Sequence, residues 1–173
     1  MAGDATTVGH LIAEDPALVR EYTDEGWTAL HLAATAEIAG MLIDAGADIN
    51  ARNRHKFAGP GNSPLSAAVY QDRRDVVQLL IERGADVNQG DNAGFTPLHL
   101  AAALGYAESA RFLLNAGADP NLRSSPNAGQ DLRNKTPLGL LDDADRRRDD
   151  GTPVPSEADA EVRALLRDHG ATA

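Results

Sequence analysis

The sequence predicts an all-α fold, a solenoid of stacked helix-turn-helix units joined by finger loops. Internal repetition and small apolar residues support this prediction. One motif occurs as GWTALHLAA at 26–34, GNSPLSAAV at 61–69, GFTPLHLAA at 94–102 and, less perfectly, NKTPLGLLD at 134–142. A second motif follows each copy, as LIDAGADIN, LIERGADVN, LLNAGADPN and the shorter LLRDHGATA. Hydrophobic residues make up 42% of the chain but aromatic residues only 4%, so Leu, Ile, Val and Ala must build a closely packed core.

Each first motif begins with a residue that can cap a helix. A hydroxyl oxygen there accepts a hydrogen bond from an unpaired amide of the first helical turn. These residues are Thr28, Ser63, Thr96 and Thr136. The next position tolerates proline because the missing N–H costs nothing there. Proline occupies it in three copies, at Pro64, Pro97 and Pro137, and Ala29 stands there in the first.

Each second motif ends a second helix. Residues 75–81, DVVQLLI, carry the wide apolar face of a helix that packs on neighbours. A glycine then follows, which suits the left-handed backbone that often ends a helix. The glycines are Gly46, Gly84, Gly117 and Gly170. One such helix pair cannot bury both of its faces alone, so the pairs must stack.

The first 23 residues are expected to form a capping pair of helices. Asp15 followed by Pro16 is a start signal for a helix that continues to about Tyr22, and another helix is expected near residues 7–14. Such a pair would cover core that the terminal repeat otherwise exposes.

The TPLH-x-A motif and the 33-residue step from Gly84 to Gly117 are those of ankyrin repeats, and the chain resembles that family over residues 24–173. Its acidic, single-domain character is typical of bacterial proteins of this kind. We expect one domain, 1–173, with capping helices at 1–23, repeat 1 at 24–52, repeat 2 with an extended finger at 53–90, repeat 3 at 91–123 and a degenerate capping repeat at 124–173. The resemblance implies that the TPLH histidines, His31 and His99, satisfy hydroxyl and backbone groups rather than bind metal. Ser66 and Gly139 replace them in the other copies.

The chain departs from the family spacing at four places. Repeat 1 lacks three residues between its helices, so one of those helices should be short. The finger between repeats 1 and 2 is longer than usual by about five residues and the next finger by about seven. Roughly 13 additional residues, including RRRDDGTPVPSE, separate the last two helices.

Composition and motifs argue against several classes of function. The net charge of -10 opposes a phosphate backbone, so we expect no nucleic acid partner. The absence of cysteine excludes thiolate chemistry and Cys-based zinc sites. The five histidines have no metal-ligand spacing, and AGPGN at 58–62 lacks the ending of a phosphate-binding loop. We therefore expect no catalytic residue, no cofactor and no metal.

The location is predicted from what the sequence lacks. Its start has neither a basic segment nor an apolar run of secretory type, and no stretch is apolar enough to span a membrane. We expect a cytoplasmic protein, monomeric and without membrane contact.

The resemblance implies a protein-protein interaction module or scaffold that binds a partner protein through its concave face and finger loops. A more specific hypothesis is an inhibitor or immunity-like protein that masks a basic target, toward which the negative charge would steer it. The alternative is a small-molecule-binding protein or an enzyme that uses the groove and the extended finger.

The candidate partner-binding residues form two sets. The extended finger places basic or potentially basic side chains beside an aromatic ring and is expected to contact an acidic patch; this set is Arg52, Arg54, His55, Lys56 and Phe57. The positions of finger tips and inner helices in the family imply the second set, which is Trp27, Tyr70, Gln71, Asn92, Phe95, Leu104 and Lys135. Two structural alternatives stay open: the finger is a tolerated insertion, and Trp27 and Phe95 fold back for stability.

Overall fold

The computed structural model describes residues 4–54, 63–126, 128, 132–142 and 156–172. The chain divides into two compact units, Met1–Asp86 and Val87–Ala173, and the boundary lies close to the predicted end of repeat 2. Every regular element in these described ranges is helical, and one isolated antiparallel bridge joins Tyr22 to Thr28. The prediction of an all-α fold is confirmed.

The first unit consists of a helical cap and two helix pairs. Its helices are α1 (Ala5–Glu14), a 3₁₀ helix (Pro16–Arg20), a second 3₁₀ helix (Ala29–Leu32), α2 (Ala36–Asp44), α3 (Pro64–Tyr70) and α4 (Arg74–Glu82). Helix α1 packs against α2, which packs against α4. The N-terminal helices therefore pack on the first repeat.

The second helix of the cap differs from its prediction. Asp15 does cap it, accepting a hydrogen bond from the N–H of Ala17 at 3.0 Å. It is a 3₁₀ helix, however, and it ends at Arg20 rather than near Tyr22. The physical reason is that Tyr22 has extended backbone and pairs with Thr28.

The three residues that repeat 1 lacks are missing from its first helix, which is a single 3₁₀ turn, whereas α2 keeps nine residues like α4 and α6 (Ala107–Asn115). A side chain of repeat 2 satisfies the end of the short helix: Nη1 of Arg73 donates to the carbonyl oxygens of Leu32 at 3.2 Å and Ala33 at 2.6 Å. Asp75 accepts from the N–H of Ala36 at 3.1 Å. Arg73 and Asp75 thus bond backbone groups at the end of the short first helix and at the start of α2, which would otherwise lack a partner.

The second unit contains α5 (Pro97–Leu104), α6, α7 (Pro137–Leu140) and α8 (Ser156–Asp168). Helix α5 packs against α6 and α7, and α8 packs against α6 and α7. The degenerate fourth motif forms only the four residues of α7. Ser124, in the longer finger, is buried and exchanges hydrogen bonds with the backbone of Lys135, so the described part of this finger has a defined path.

Three of the four predicted hydroxyl caps and all four predicted glycine turns are confirmed. Ser63 and Thr136 accept from the backbone N–H three residues later, both at 3.1 Å, and Thr96 does so at 3.4 Å. Such caps contribute about 1 kcal/mol each. All four glycines of the second motif have φ between +85° and +90°, which is the left-handed backbone that a side chain strains.

The core follows the two motifs. The leucine of the first motif is buried in all four copies, as Leu30, Leu65, Leu98 and Leu138. The second helices contribute Val76, Leu80, Leu113, Val162 and Leu166. Aliphatic side chains therefore fill the contacts between layers, as the composition predicts.

An asparagine at the end of the second motif bonds the corresponding turn of the next repeat. Its Oδ1 accepts a backbone N–H at 2.8 to 2.9 Å in three cases, Asn50 from Asp86, Asn88 from Asp119 and Asn121 from Thr172. Nδ2 of Asn121 also donates to the carbonyl of Gly170 at 3.0 Å. These bonds hold successive turns at a fixed spacing, because an amide can accept and donate at once.

We predict that Asn121→Ala lowers the free energy of unfolding by about 1–2 kcal/mol, because it removes hydrogen bonds to the turn after α8. The loss is no larger because the position is exposed, and water can bond the backbone groups that the substitution frees. The measurement is urea unfolding at neutral pH. The control is Asn115→Ala, at an exposed position whose side chain makes no hydrogen bond within the described part of the chain, and it should change stability by less than about 0.5 kcal/mol. Equal stability of the two variants would contradict a structural role for the asparagine bonds.

Candidate partner-binding surface

In the second unit, both nitrogens of the buried imidazole of His99 make hydrogen bonds. Its Nδ1 accepts from the backbone N–H of Thr96 at 3.2 Å and lies 2.8 Å from the hydroxyl of the same residue. Because a backbone N–H can only donate, the ring proton belongs on Nε2, which donates to the carbonyl of Lys135 at 3.0 Å. Both ring nitrogens are therefore engaged, one within the repeat and one with the next.

Burial lowers the pKa of His99 to about 4, and hydrogen bonds to the carbonyls of Lys135 and Leu122 act in the opposite direction. The imidazole is neutral at pH 7, which matches the tautomer required by its bonds. The structural interpretation of this histidine is confirmed. His31 repeats the first half of the arrangement, with Nδ1 accepting from the N–H of Thr28 at 3.3 Å.

The other two copies cap their helices without imidazole. The hydroxyl of Ser63 donates to that of Ser66 at 3.2 Å. Gly139 contributes only its backbone N–H, which donates to Thr136. The hydroxyls of Ser63, Ser66 and Thr136 therefore also make hydrogen bonds within the protein.

The aromatic residue before each capping threonine lies against the histidine ring. Trp27 contacts His31 edge-on with ring centroids 5.4 Å apart, and Phe95 contacts His99 at 5.3 Å. Both aromatic residues are half-buried. Each ring thus supports the start of its own repeat, and a part of each remains at the surface.

In the first unit, the predicted partner-binding residues that the structure describes are accessible. Arg52, Arg54 and Gln71 are exposed, and Tyr70 is half-buried at the end of α3. The side-chain amide of Gln71 donates to the carbonyl of Ala67 at 3.3 Å. His55, Lys56 and Phe57 lie outside the described residues.

In the second unit, Asn92 is exposed, and Phe95 and Lys135 are half-buried. Leu104 is the last residue of α5 and is only 8% exposed, so its side chain is buried. It has almost no surface for a partner, so we do not keep it in the candidate set.

Sequence reasoning missed Tyr22, which is half-buried beneath the guanidinium of Arg54. The guanidinium carbon lies 3.7 Å from the centroid of the Tyr22 ring. The two residues are 32 positions apart, and no motif in the sequence links them. Their proximity depends on the hairpin at residues 22–28, which sequence periodicity did not indicate.

Other kinds of site find no support in the described ranges. No group of three or more His, Asp or Glu side chains there is arranged to hold a metal ion. None of the helices in those ranges is both long and apolar enough to cross a membrane.

Comparison with known proteins gives family matches over the central part of the chain. A model of ankyrin repeats in three copies matches residues 41–124, and a model of a single ankyrin repeat matches residues 25–54. Together they span more than half of the chain.

Three relatives illustrate the similarity. The B-cell lymphoma 3 protein homolog of Mus musculus is 37% identical over 127 residues, which cover 72% of this chain and 26% of that protein. Protein phosphatase 1 regulatory subunit 27 of Homo sapiens is 42% identical over 82 residues, 47% of this chain and 49% of that protein. Neurogenic locus notch homolog protein 2 of Homo sapiens is 39% identical over 121 residues, 68% of this chain and 5% of that protein. The chain spans about half or less of the length of these relatives.

We predict that acid destabilises the protein through His99. Its folded-state pKa of about 4 lies below the ordinary value of 6.5, so protons bind the unfolded state more tightly. The contribution of the neutral His99 imidazole to the free energy of unfolding is fully present above pH 6.5. It falls as the pH decreases and is lost by pH 4. Between pH 7 and pH 5 the loss is about 2 kcal/mol, measured by urea unfolding at both pH values.

His99→Gln should be less stable at pH 7 but should lose much less stability between pH 7 and pH 5. The matched control is Leu138→Ala, which removes a buried side chain without removing a titratable group and should keep the full pH-dependent loss. The same loss in His99→Gln as in the unmodified protein would show that another group is responsible.

Proposed function

The chain belongs to the ankyrin-repeat family, and from this premise we propose that it is a non-catalytic protein-protein interaction module that binds a partner protein. One observation carries the proposal: recurring polar side chains that could take part in chemistry bond the backbone of neighbouring repeats instead, while several residues that differ between copies lie at the surface. His99 and Asn121 are examples of the first kind. Gln71 and Asn92 are examples of the second.

In the first unit, the proposed contact residues combine basic and aromatic groups. Arg52 and Arg54 are exposed at the start of the extended finger, and Trp27 and Tyr70 are half-buried. A half-buried ring already has restricted rotamers, so it gains apolar contact with a partner at a small entropic cost. His55, Lys56 and Phe57 extend this set by their position in the sequence.

In the second unit, the proposed contacts are Asn92, Phe95 and Lys135. The Phe95 ring is supported by His99, and the backbone of Lys135 is held by bonds to Ser124 and His99. Rigid backbone at these positions favours binding with little change in shape. A cytoplasmic location and a monomeric state belong to the same proposal.

A finer proposal is an inhibitor or immunity-like role, in which the chain masks a target protein that is basic overall. The net charge of -10 supports it, because opposite charges accelerate encounter. The expected result is an association rate that falls by about tenfold between low and physiological salt, measured by stopped-flow fluorescence with the captured partner. A rate independent of salt would contradict electrostatic steering.

The test of the module itself is capture of partners from native lysate by the full chain, followed by calorimetry with the purified partner. Lys56→Glu should weaken binding by about tenfold if the extended finger contacts the partner. The control is Arg167→Glu, which makes the same change of net charge at an exposed position of α8 and should leave affinity within about twofold.

Two results contradict the proposal. One is the absence of any saturable protein partner in the capture experiment. The other, from a separate thermal-shift measurement on the purified chain, is a rise of several degrees in melting temperature with a nucleotide or metabolite, which would favour the small-molecule alternative. Equal affinities of Lys56→Glu and Arg167→Glu would remove the extended finger from the contact surface.

A further inference from the structure

Residues 22–28 form a tight hairpin that leads into repeat 1. Tyr22 pairs with Thr28, the N–H of Thr23 donates to the carbonyl of Trp27 at 2.8 Å, and the hydroxyl of Thr23 accepts from the N–H of Trp27 at 3.2 Å. Thr28 is buried, and its hydroxyl lies 2.8 Å from Nδ1 of His31. The hairpin therefore attaches the ring of Tyr22 to the buried start of the repeat.

Arg54 lies across this hairpin. Its backbone N–H donates to the carbonyl of Gly26 at 2.9 Å, and its guanidinium covers the ring of Tyr22 at 3.7 Å. A cation over an aromatic face is attracted by the ring quadrupole. Stacking occupies a face of the planar guanidinium, while the N–H donors at its edge keep their ability to bond an anion. The side chain is thus positioned without using its donors.

The charge of Arg54 has no carboxylate partner in the described part of the chain. Four other arginines do pair with acidic side chains, namely Arg74, Arg83, Arg111 and Arg163. Residues 55–62, which follow Arg54 directly, contain no Asp or Glu. Among the residues that the structure describes, no carboxylate therefore competes for the N–H donors of Arg54, which can bind an external anion.

We propose that Arg54, held on the ring of Tyr22, binds the carboxylate of a single Asp or Glu in the partner protein. This inference rests on the proposed function and names the chemistry of one contact within it. A guanidinium and a carboxylate form two parallel hydrogen bonds, and a stacked guanidinium loses less conformational freedom when it does so. Glu21, Asp24 and Glu25 are exposed in and beside the hairpin and would repel a densely acidic segment. The occupant is therefore one carboxylate among uncharged neighbours.

The experiment uses short random peptides displayed on phage, selected on the full chain and then synthesised. Selected peptides that bind should contain an Asp or Glu whose change to Asn or Gln weakens binding by about tenfold. Arg54→Gln should weaken the acidic peptides by about the same factor and should bind the amide peptides as the unmodified chain does. Such non-additivity would identify the carboxylate and Arg54 as direct partners.

Conservative variants separate charge, geometry and support. Arg54→Lys keeps the positive charge but lacks the planar guanidinium. It should bind the acidic peptides with about a third of the affinity of the unmodified chain. Tyr22→Phe keeps the ring and should bind like the unmodified chain, while Tyr22→Leu should bind about threefold to fivefold more weakly. Arg54→Lys and Tyr22→Phe keep the test independent of folding, because neither removes a buried contact, and circular dichroism verifies this.

Each other outcome overturns a distinct statement. Acid-dependent peptides that bind Arg54→Gln unchanged, or selected peptides without an acidic residue, would overturn the carboxylate contact and leave the proposed function intact. Phosphoserine in place of the acid, bound more than about tenfold tighter through Arg54, would replace the carboxylate by a phosphate. No enriched peptide, together with no captured protein, would overturn the proposed function and this inference with it.

Discussion

Helices of seven to nine residues leave about as many terminal N–H and C=O groups unpaired as they pair internally, and this constraint governs the whole structure. The chain meets it by exchanging hydrogen bonds between adjacent repeats. His99 caps its own helix with one ring nitrogen and bonds Lys135 of the next repeat with the other. Only a neutral imidazole can accept and donate in this way, so burial and the low pKa are part of the same arrangement.

Repeat 1 shows how the same constraint is met after a deletion. Its first helix is one 3₁₀ turn, and the carbonyls of Leu32 and Ala33 are bonded by Arg73 of repeat 2. The shortening has a further effect at the surface, because Leu32 is 51% exposed whereas the equivalent Leu100 of α5 is 7% exposed. The side chain of Arg73 thus replaces the hydrogen bonds of the missing helical turn, but it does not cover the apolar surface of Leu32.

Signals that act within one repeat were predictable from the sequence. Hydroxyl caps, proline at the first helical position and glycine in the left-handed region depend on neighbours along the chain, and all three are confirmed. Contacts between distant residues were not predictable: Arg73 with Leu32, and Arg54 with Tyr22, follow from the stacking of elements. The glycine of the second motif was predicted to end a helix, but the bond from the asparagine of that motif to the next turn has no local signature. Leu104 was assigned to the partner-binding surface from its position on an inner helix, and that helix instead buries it.

The bonds between Asn121 and the turn at Gly170 and Thr172 also determine how the structure responds to force. A pull applied at residue 172 loads these bonds directly, before it reaches the apolar contacts of α8. Because these few bonds would break before the apolar contacts are loaded, we expect α8 to separate from α6 and α7 gradually from this end. This separation would uncover Val162 and Leu166, which are fully buried in the intact array. Traction at this end is therefore expected to expose an apolar strip of α8 before it disrupts α5, α6 and α7.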